Sequence, residues 1–171
     1  GNIDCIWNGM SYSEERAQKM TLSKPYMNNN MVLVVRKDSG YTTQADLKDK
    51  KIAVQNGSTA QTVLDASDFK KTVKKTISLK DNVSAFIELD MKTVDAVFVD
   101  VVVADYVIAT NHKDYVILPD GLADEQYVIG FRKGDNAFKD KIDATLIEMK
   151  KDGKLAEISN KWFGKDVTTV K

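Results

Sequence analysis

The chain has 171 residues, 43% of them hydrophobic and 29% charged, which is an ordinary composition for a globular protein with a buried core. Its 25 basic and 25 acidic residues cancel, so no overall field attracts nucleic acid or an anionic membrane. We therefore expect small molecules or proteins as partners. Cys5 and His112 are the single residues of their types, which excludes a disulfide framework and a zinc site. We interpret Cys5 as a small apolar strand residue and His112 as a solvated surface residue, and we expect neither metal nor cofactor.

Seven short runs rich in valine and isoleucine predict strands, and several are continuous rather than alternating, as in a sheet covered on both faces. These strands are residues 3–7, 31–36, 51–55, 76–78, 95–99, 115–118 and 127–131. Six helices are predicted among and after them. One is capped by Ser13, and the others are residues 58–66, 82–89, 101–110, 137–151 and 154–163. On the helix at 82–89 we expect Val83, Phe86 and Leu89 to be buried.

The alternation of strands and helices in the middle of the chain predicts a doubly wound parallel sheet. Polar stretches at 26–30 and 121–126 interrupt this alternation and are predicted as loops. If both are crossings between lobes, residues 31–123 form one lobe, while residues 1–25 and 128–171 share another. Residues 26–30 and 124–127 would then be the hinge segments.

The first candidate site is the turn that follows the first predicted strand. Asn8, Gly9 and Ser11 precede a helix that carries Arg16. A planar guanidinium beside a hydroxyl and exposed backbone groups suits one end of a small zwitterion. The alternative is a capped helix with Arg16 in a surface ion pair, and from this segment alone the alternative is favoured.

The second candidate site is the strand-to-helix turn at residues 55–60. The N–H groups of a helix N-terminus, together with the hydroxyls of Ser58 and Thr59, can bind an anion. The segment lacks the two glycines and the Gly-Lys ending of a phosphate loop. An N-cap role for Ser58, without a ligand, is an equal alternative.

The third candidate is Asp100, which ends a hydrophobic strand. In open α/β sheets this end of the strand is where ligands bind. The carboxylate is suited to an ammonium group, and it can also cap the helix that begins at the next residue. These two roles are compatible.

Taken in order, these motifs resemble the polar amino-acid-binding receptors of ABC transporters, solute-binding protein family 3. The resemblance covers essentially the whole chain. It rests on residues 1–4, 9–11, 15–16, 22–26, 33–39, 46–48, 52–60, 95–100, 130–134 and 161–164. It implies an α/β, two-lobed periplasmic-binding-protein-like fold with one complete doubly wound lobe. It also implies an extracellular or periplasmic receptor that binds a free amino acid by lobe closure and serves a membrane permease.

The resemblance also implies how the two lobes divide the charges of the ligand. Arg16 would hold the α-carboxylate with help from Ser11, and Thr59 would meet the same group from the other lobe. Asp100 and the carbonyl of Gly9 would take the α-ammonium. Because each lobe satisfies part of the ligand, binding would favour the closed form over the open form. The full set of implied contacts is Asn8, Gly9, Ser11, Arg16, Ser58, Thr59 and Asp100.

The sequence departs from the family at its start. The family normally begins with a strand, a helix and a second strand, and this sequence starts after them. The lobe made of residues 1–25 and 128–171 would then be incomplete, with exposed apolar faces. We expect a missing N-terminal segment or a second copy of the chain to complete it, and the isolated chain to bind amino acid weakly or not at all. A lipid-modified cysteine upstream would anchor the receptor.

Two other functions compete with a transport receptor. An enzyme on the same fold, such as a dehydratase, needs an acid or base poised over its substrate, for which Asp100 and Glu125 are the candidates. No catalytic pair is recognisable around either residue, so we assign no catalytic residue. A sensor domain would need a transmembrane continuation after Lys171. The ordered motifs favour the receptor over both.

Overall fold

The computed structural model describes residues 2–111 and 114–171, so the predictions for Gly1 and His112 lie outside the described residues. The chain divides into two compact units. Unit 1 consists of Gly1–Asn29 and Glu125–Lys171, and unit 2 consists of Asn30–Asp124. Within the described ranges, no helix has both the length and the apolar character needed to cross a membrane.

Unit 2 is built on a mixed sheet with the strand order β5-β4-β6-β3-β7. These strands are β3 (Met27–Arg36), β4 (Lys51–Gln55), β5 (Lys75–Leu79), β6 (Ala96–Asp100) and β7 (Tyr115–Ile117). The predicted parallel arrangement holds for β4 with both β5 and β6. In contrast, β3 runs antiparallel to β6 and β7. β3 precedes the alternating strands and helices in sequence, so the crossover connections that make β4, β5 and β6 parallel do not set its direction.

The core of unit 2 lies on both faces of this sheet, as the continuous apolar strands predicted. Alternate residues of one strand serve different faces. Leu33 belongs to the cluster that includes Leu64 of α2 (Thr59–Ala66), and Val34 belongs to the cluster that includes Leu89 of α3 (Asn82–Asp90). The second cluster also takes Ala104 from α4 (Val101–Asn111). Three short 3-10 turns complete the unit: Lys37–Ser39, Gln44–Leu47 and Phe69–Lys71.

One buried position on α3 was predicted wrongly. Phe86 and Leu89 are buried together with Ala85, but the Val83 side chain is 70% exposed. With 3.6 residues per turn, Val83 lies about 115° from the centre of the face formed by those three residues. Its helical neighbour on the exposed side is Ile87.

Unit 1 contains a small antiparallel sheet in the order β1-β9-β2. These strands are β1 (Cys5–Ile6), β2 (Thr21–Leu22) and β9 (Gly130–Phe131). Three helices belong to the unit: α1 (Glu14–Lys19), α5 (Asn136–Lys151) and α6 (Lys154–Phe163). Ile129, Phe131, Leu146 and Val170 form its buried core, against which Cys5 packs partly buried.

A considerable apolar surface of unit 1 is exposed, as the sequence led us to expect. Trp7 is 51% exposed and follows the edge strand β1, and Trp162 on α6 is 57% exposed. Ile3, Ile6, Tyr12 and Ile158 are also exposed. Exposed apolar side chains mark a surface that associates with something else where they form a contiguous patch.

The two segments predicted as polar loops are strands, and that prediction was wrong. β3 already begins at Met27, and β8 (Ala123–Tyr127) pairs with it. The Tyr26 amide donates to the Tyr127 carbonyl at 3.1 Å. Because a ladder forms through backbone groups, the polar run Asn28–Asn30 is accommodated as readily as an apolar one. The predicted strand at 127–131 is correspondingly split between β8 and β9. The unit boundaries fall inside the segments named as hinges, whose hinge role stays a prediction.

Candidate functional site

The first candidate segment, residues 8–12, lies along the returning part of the chain within unit 1. The Tyr12 amide donates to the Gln126 carbonyl at 2.8 Å, and the Val128 amide donates to the Met10 carbonyl at 2.9 Å. Between these bonds Ser11 forms an isolated antiparallel bridge with Tyr127. The backbone of this turn is therefore fixed by a strand more than one hundred residues away in sequence.

Arg16 lies on α1 and reaches back to this turn. Ser13 caps the helix, and its hydroxyl accepts the Arg16 amide at 3.2 Å. A guanidinium nitrogen (Nη1) of Arg16 donates to the Ser11 carbonyl at 2.6 Å. A guanidinium carries five N–H donors in a rigid fork that matches a carboxylate, so the bond to Ser11 orients a group suited to bind an acid.

Gly9 and Asn8 are exposed residues of the same turn, and two tyrosines hold them. A Cβ atom placed on Gly9 would lie 3.2 Å from Oη and 3.3 Å from Cζ of Tyr127, whose ring is buried. The hydroxyl of Tyr26 donates to the Asn8 carbonyl at 3.1 Å. Burial raises the pKa of Tyr26, so this donor keeps its proton at neutral pH. The Tyr127 ring therefore leaves little room for a side chain at position 9.

Ser11 makes a contact that the sequence did not reveal. Its side chain is almost fully buried, and its hydroxyl donates to Oε2 of Glu125 at 2.5 Å. The same carboxylate oxygen accepts a hydrogen bond from the Asn29 side-chain amide at 3.4 Å. The sequence suggests Glu125 only as a candidate catalytic acid or base. Its link to Ser11 spans 114 residues, so no local pattern could have found it.

In unit 2, the structure gives Ser58 the role of a helix cap. Its hydroxyl accepts the Gln61 amide at 3.1 Å and donates to the Gln55 carbonyl at 2.8 Å. A serine hydroxyl has one proton, and this proton is used within the turn. Gly57 adopts φ +68°, a left-handed conformation that favours glycine, and its amide donates to the Gln61 side chain at 2.7 Å. Both capping bonds stabilise the start of α2.

Thr59 and Asp100 lie at the same edge of the unit 2 sheet. Thr59 is the first residue of α2, which follows β4 after a short turn, and Asp100 is the last residue of β6. Because β4 and β6 are parallel neighbours, their carboxyl ends meet at one edge. Across the sheet Asp100 pairs with Met31 in β3, and α4 begins directly after it. A first-turn threonine and a half-buried carboxylate therefore share one edge.

The seven predicted site residues fall into two groups. Asn8, Gly9, Ser11 and Arg16 form one turn in unit 1, and Ser58, Thr59 and Asp100 lie at one sheet edge in unit 2. No cluster of three or more potential metal ligands occurs among residues 2–111 and 114–171. The group in unit 1 offers a guanidinium with backbone groups, and the group in unit 2 offers hydroxyls and a carboxylate. A small charged molecule is bound by polar groups of these kinds.

Comparison with known proteins gives consistent matches. The model of the bacterial extracellular solute-binding proteins, family 3, matches residues 1–165. ABC transporter arginine-binding protein 1 of Escherichia coli (strain K12) is 33% identical over 165 residues, which are 94% of this chain and 66% of that protein. This chain spans just under two thirds of the length of the curated relatives it matches first.

Solved structures match as well. An ABC uptake transporter substrate binding protein from Streptococcus pneumoniae with bound histidine has a TM-score of 0.91 and 37% identity, over 99% of this chain and 71% of that one. The ancestral amino acid-binding protein AncCDT-1, described as a precursor of cyclohexadienyl dehydratase, has a TM-score of 0.84 and 30% identity, over 95% and 70% of the two chains.

Proposed function

This chain belongs to the bacterial extracellular solute-binding proteins, family 3, and we propose that it is the ligand-binding part of an ABC importer for a free polar amino acid. The predicted family and the predicted α/β, periplasmic-binding-protein-like fold are confirmed by the family match and by a TM-score of 0.91 to a substrate binding protein. A relative named as arginine-binding and a similar structure with bound histidine support an amino acid as the ligand. The partner that would receive the amino acid is the membrane permease of the importer.

The observation that carries the proposal is the anchored Arg16 of unit 1. Its guanidinium is held 2.6 Å from the Ser11 carbonyl, beside a turn whose Gly9 is packed under Tyr127. We propose that Arg16 holds the α-carboxylate of the ligand as a fork and that the exposed Gly9 carbonyl accepts from its α-ammonium. A rigid, charged group on a fixed turn binds a zwitterion without first having to be ordered, which favours affinity.

Unit 2 would complete the ligand shell. In the proposal, Thr59 meets the α-carboxylate through its amide and hydroxyl, and Asp100 takes the α-ammonium. The position of both residues at the carboxyl edge of β4 and β6 supports these roles. Because a single ligand would need both units, it would stabilise their closed arrangement and use residues 26–30 and 124–127 as hinges.

The Ser58 hydroxyl is better explained by the helix cap than by the ligand. Both its donor and one of its acceptor positions are used by Gln55 and Gln61. We therefore propose that Ser58 stabilises α2 as its N-cap and makes no contact with the ligand. Asn8 remains a proposed contact through its exposed side chain.

The exposed apolar surface of unit 1 supports a further partner. Trp7 and Trp162 would be covered either by a segment like the additional third of the longer relatives or by a second copy of this chain. Analytical ultracentrifugation distinguishes the two, because a second copy makes the mass depend on concentration. In either case we expect the isolated chain to bind amino acid more weakly than the completed receptor.

Catalysis is the competing function, favoured by the likeness to AncCDT-1. Binding without turnover is our proposal, because the relatives named above are described as binding proteins. Incubation of the protein with each bound amino acid, followed by mass spectrometry, would detect any new product.

A thermal-shift screen against the twenty amino acids tests the proposed function directly. It should use the protein expressed from its complete gene, followed by calorimetry on the ligands that raise the melting temperature. We expect stabilisation by one amino acid or a small chemically related group. Equal, negligible shifts with all twenty would refute the proposal.

A further inference from the structure

Glu125 connects three parts of unit 1 that are distant in sequence. One of its carboxylate oxygens, Oε2, accepts the Ser11 hydroxyl at 2.5 Å and the Asn29 side-chain amide at 3.4 Å. Glu125 itself is the first residue of the returning segment of unit 1, and Asn29 is the last residue of the outgoing one. Ser11 belongs to the turn that carries the proposed amino-acid contacts.

We propose that Glu125 is a positioning residue of the amino-acid site, which acts on Arg16 through Ser11. This inference rests on the proposed function of that site. Ser11 is held at two points: its hydroxyl by Glu125 and its carbonyl by the Arg16 guanidinium, which donates at 2.6 Å. With the side chain almost fully buried, the residue has little room to adopt another rotamer.

The direction of the Ser11 hydrogen bond determines what that side chain can offer a ligand. A serine hydroxyl has one proton and two lone pairs, and here the proton is donated to a carboxylate. Short bonds of this type to ionised acceptors are stronger than neutral ones. The Ser11 hydroxyl therefore serves as an acceptor only. A ligand carboxylate, which also only accepts, depends on Arg16 and gains nothing from this hydroxyl.

The same carboxylate ties the site turn to both segments at which unit 1 ends. Asn29 and Ser11 share Oε2 of Glu125, so a change in the backbone at either segment moves a bond that holds the turn. Glu125 thus makes the position of Arg16 sensitive to the conformation of the crossings. The exposed Glu148 provides a matched control, since it is a glutamate of the same unit that lies on α5 and belongs to neither proposed hinge segment.

The first test measures affinity for two forms of one ligand. The protein expressed from its complete gene is titrated with an amino acid that it binds and with the α-carboxamide of that amino acid. We expect Glu125→Ala to weaken binding of the acid about tenfold, the lower end of the loss seen when the outer partner of a metal ligand is removed. The carboxamide, which does not need the Arg16 fork, should change less than about twofold, the size of an ordinary surface effect. Glu125→Gln, which keeps an acceptor for Ser11, and Glu148→Ala should both stay close to the unaltered protein.

Equal losses for the acid and the carboxamide would overturn the inference, because they would indicate general loosening. Unchanged affinity in Glu125→Ala would do the same. The second test needs no ligand: thermal unfolding of Ser11→Ala, Glu125→Ala and the double variant. We expect the double variant to be no less stable than the worse single variant, since each single variant already removes the bond between Ser11 and Glu125. Additive losses would overturn the link even if the protein proved to bind no amino acid, an outcome that would refute the proposed function separately.

Discussion

Ser58→Ala separates the capping role of this serine from a role in ligand binding. The substitution removes the bond from the Gln61 amide at 3.1 Å and the bond to the Gln55 carbonyl at 2.8 Å. Loss of a serine N-cap costs roughly 0.5–2 kcal/mol of stability, typically about 1. In a chain of this length, 1 kcal/mol lowers the melting temperature by about 2–4 °C. Because neither bond involves a ligand, we expect the dissociation constant for the amino acid to stay within about twofold, less than 0.5 kcal/mol.

Circular dichroism melting and isothermal titration calorimetry on the same preparation measure both effects. Asp81→Ala is the matched control, since Asp81 caps α3 by accepting the Ser84 amide at 2.7 Å and none of the proposed contacts lies on that helix. We expect the control to reproduce the loss of melting temperature with unchanged affinity. If Ser58→Ala instead weakened binding tenfold while its melting temperature stayed constant, the hydroxyl would be a ligand contact and the reasoning would be refuted.

Further substitutions test other parts of the structure. Gly9→Ala should weaken amino-acid binding in calorimetry while lowering the melting temperature only slightly, because its Cβ would press on the buried Tyr127 at 3.2 Å and displace the turn. Leu64→Ala should lower the free energy of unfolding in urea by about 2–5 kcal/mol, since the side chain is completely buried. Hydrogen bonds from the Thr42 and Thr43 amides lower the pKa of Asp46. Its contribution to stability is therefore present at neutral pH and lost as the pH falls below about 4. Asp46→Asn should make the free energy of unfolding depend less steeply on pH in this acid range.

Local rules were sufficient for most of the elements. The apolar strands β4 and β6 and the helices that follow them appear close to their predicted positions, because hydrophobic runs and caps are short-range signals. Residue type alone predicted Ser13 as an N-cap and made capping an equal alternative to ligand binding for Ser58, and both serines form capping bonds. The same rules wrongly predicted loops at the polar segments 26–30 and 121–126. Strand pairing there depends on backbone partners, not on apolar side chains.

The candidate site was predictable only in part. Arg16 could be singled out because arginine is scarce in a chain whose basic residues are mostly lysine. The residues that contact its turn could not be predicted. Glu125 and Tyr127 belong to β8, which is separated from the turn in sequence by the whole of unit 2. Tyr26, whose hydroxyl donates to the Asn8 carbonyl, belongs to the segment 26–30 that was predicted as a polar loop. Such partners become visible once the fold has brought distant segments together.

Calorimetric titration of the protein expressed from its complete gene, with and without Arg16→Ala, tests the central claim most directly. We expect saturable binding of a polar amino acid with a dissociation constant below about 100 µM, which corresponds to roughly −5.5 kcal/mol or better. Loss of the charged fork should then weaken binding at least about a hundredfold, or roughly 2.7 kcal/mol, while the protein remains folded. Binding that is unchanged in Arg16→Ala, or absent for every amino acid at millimolar concentration, would contradict the claim.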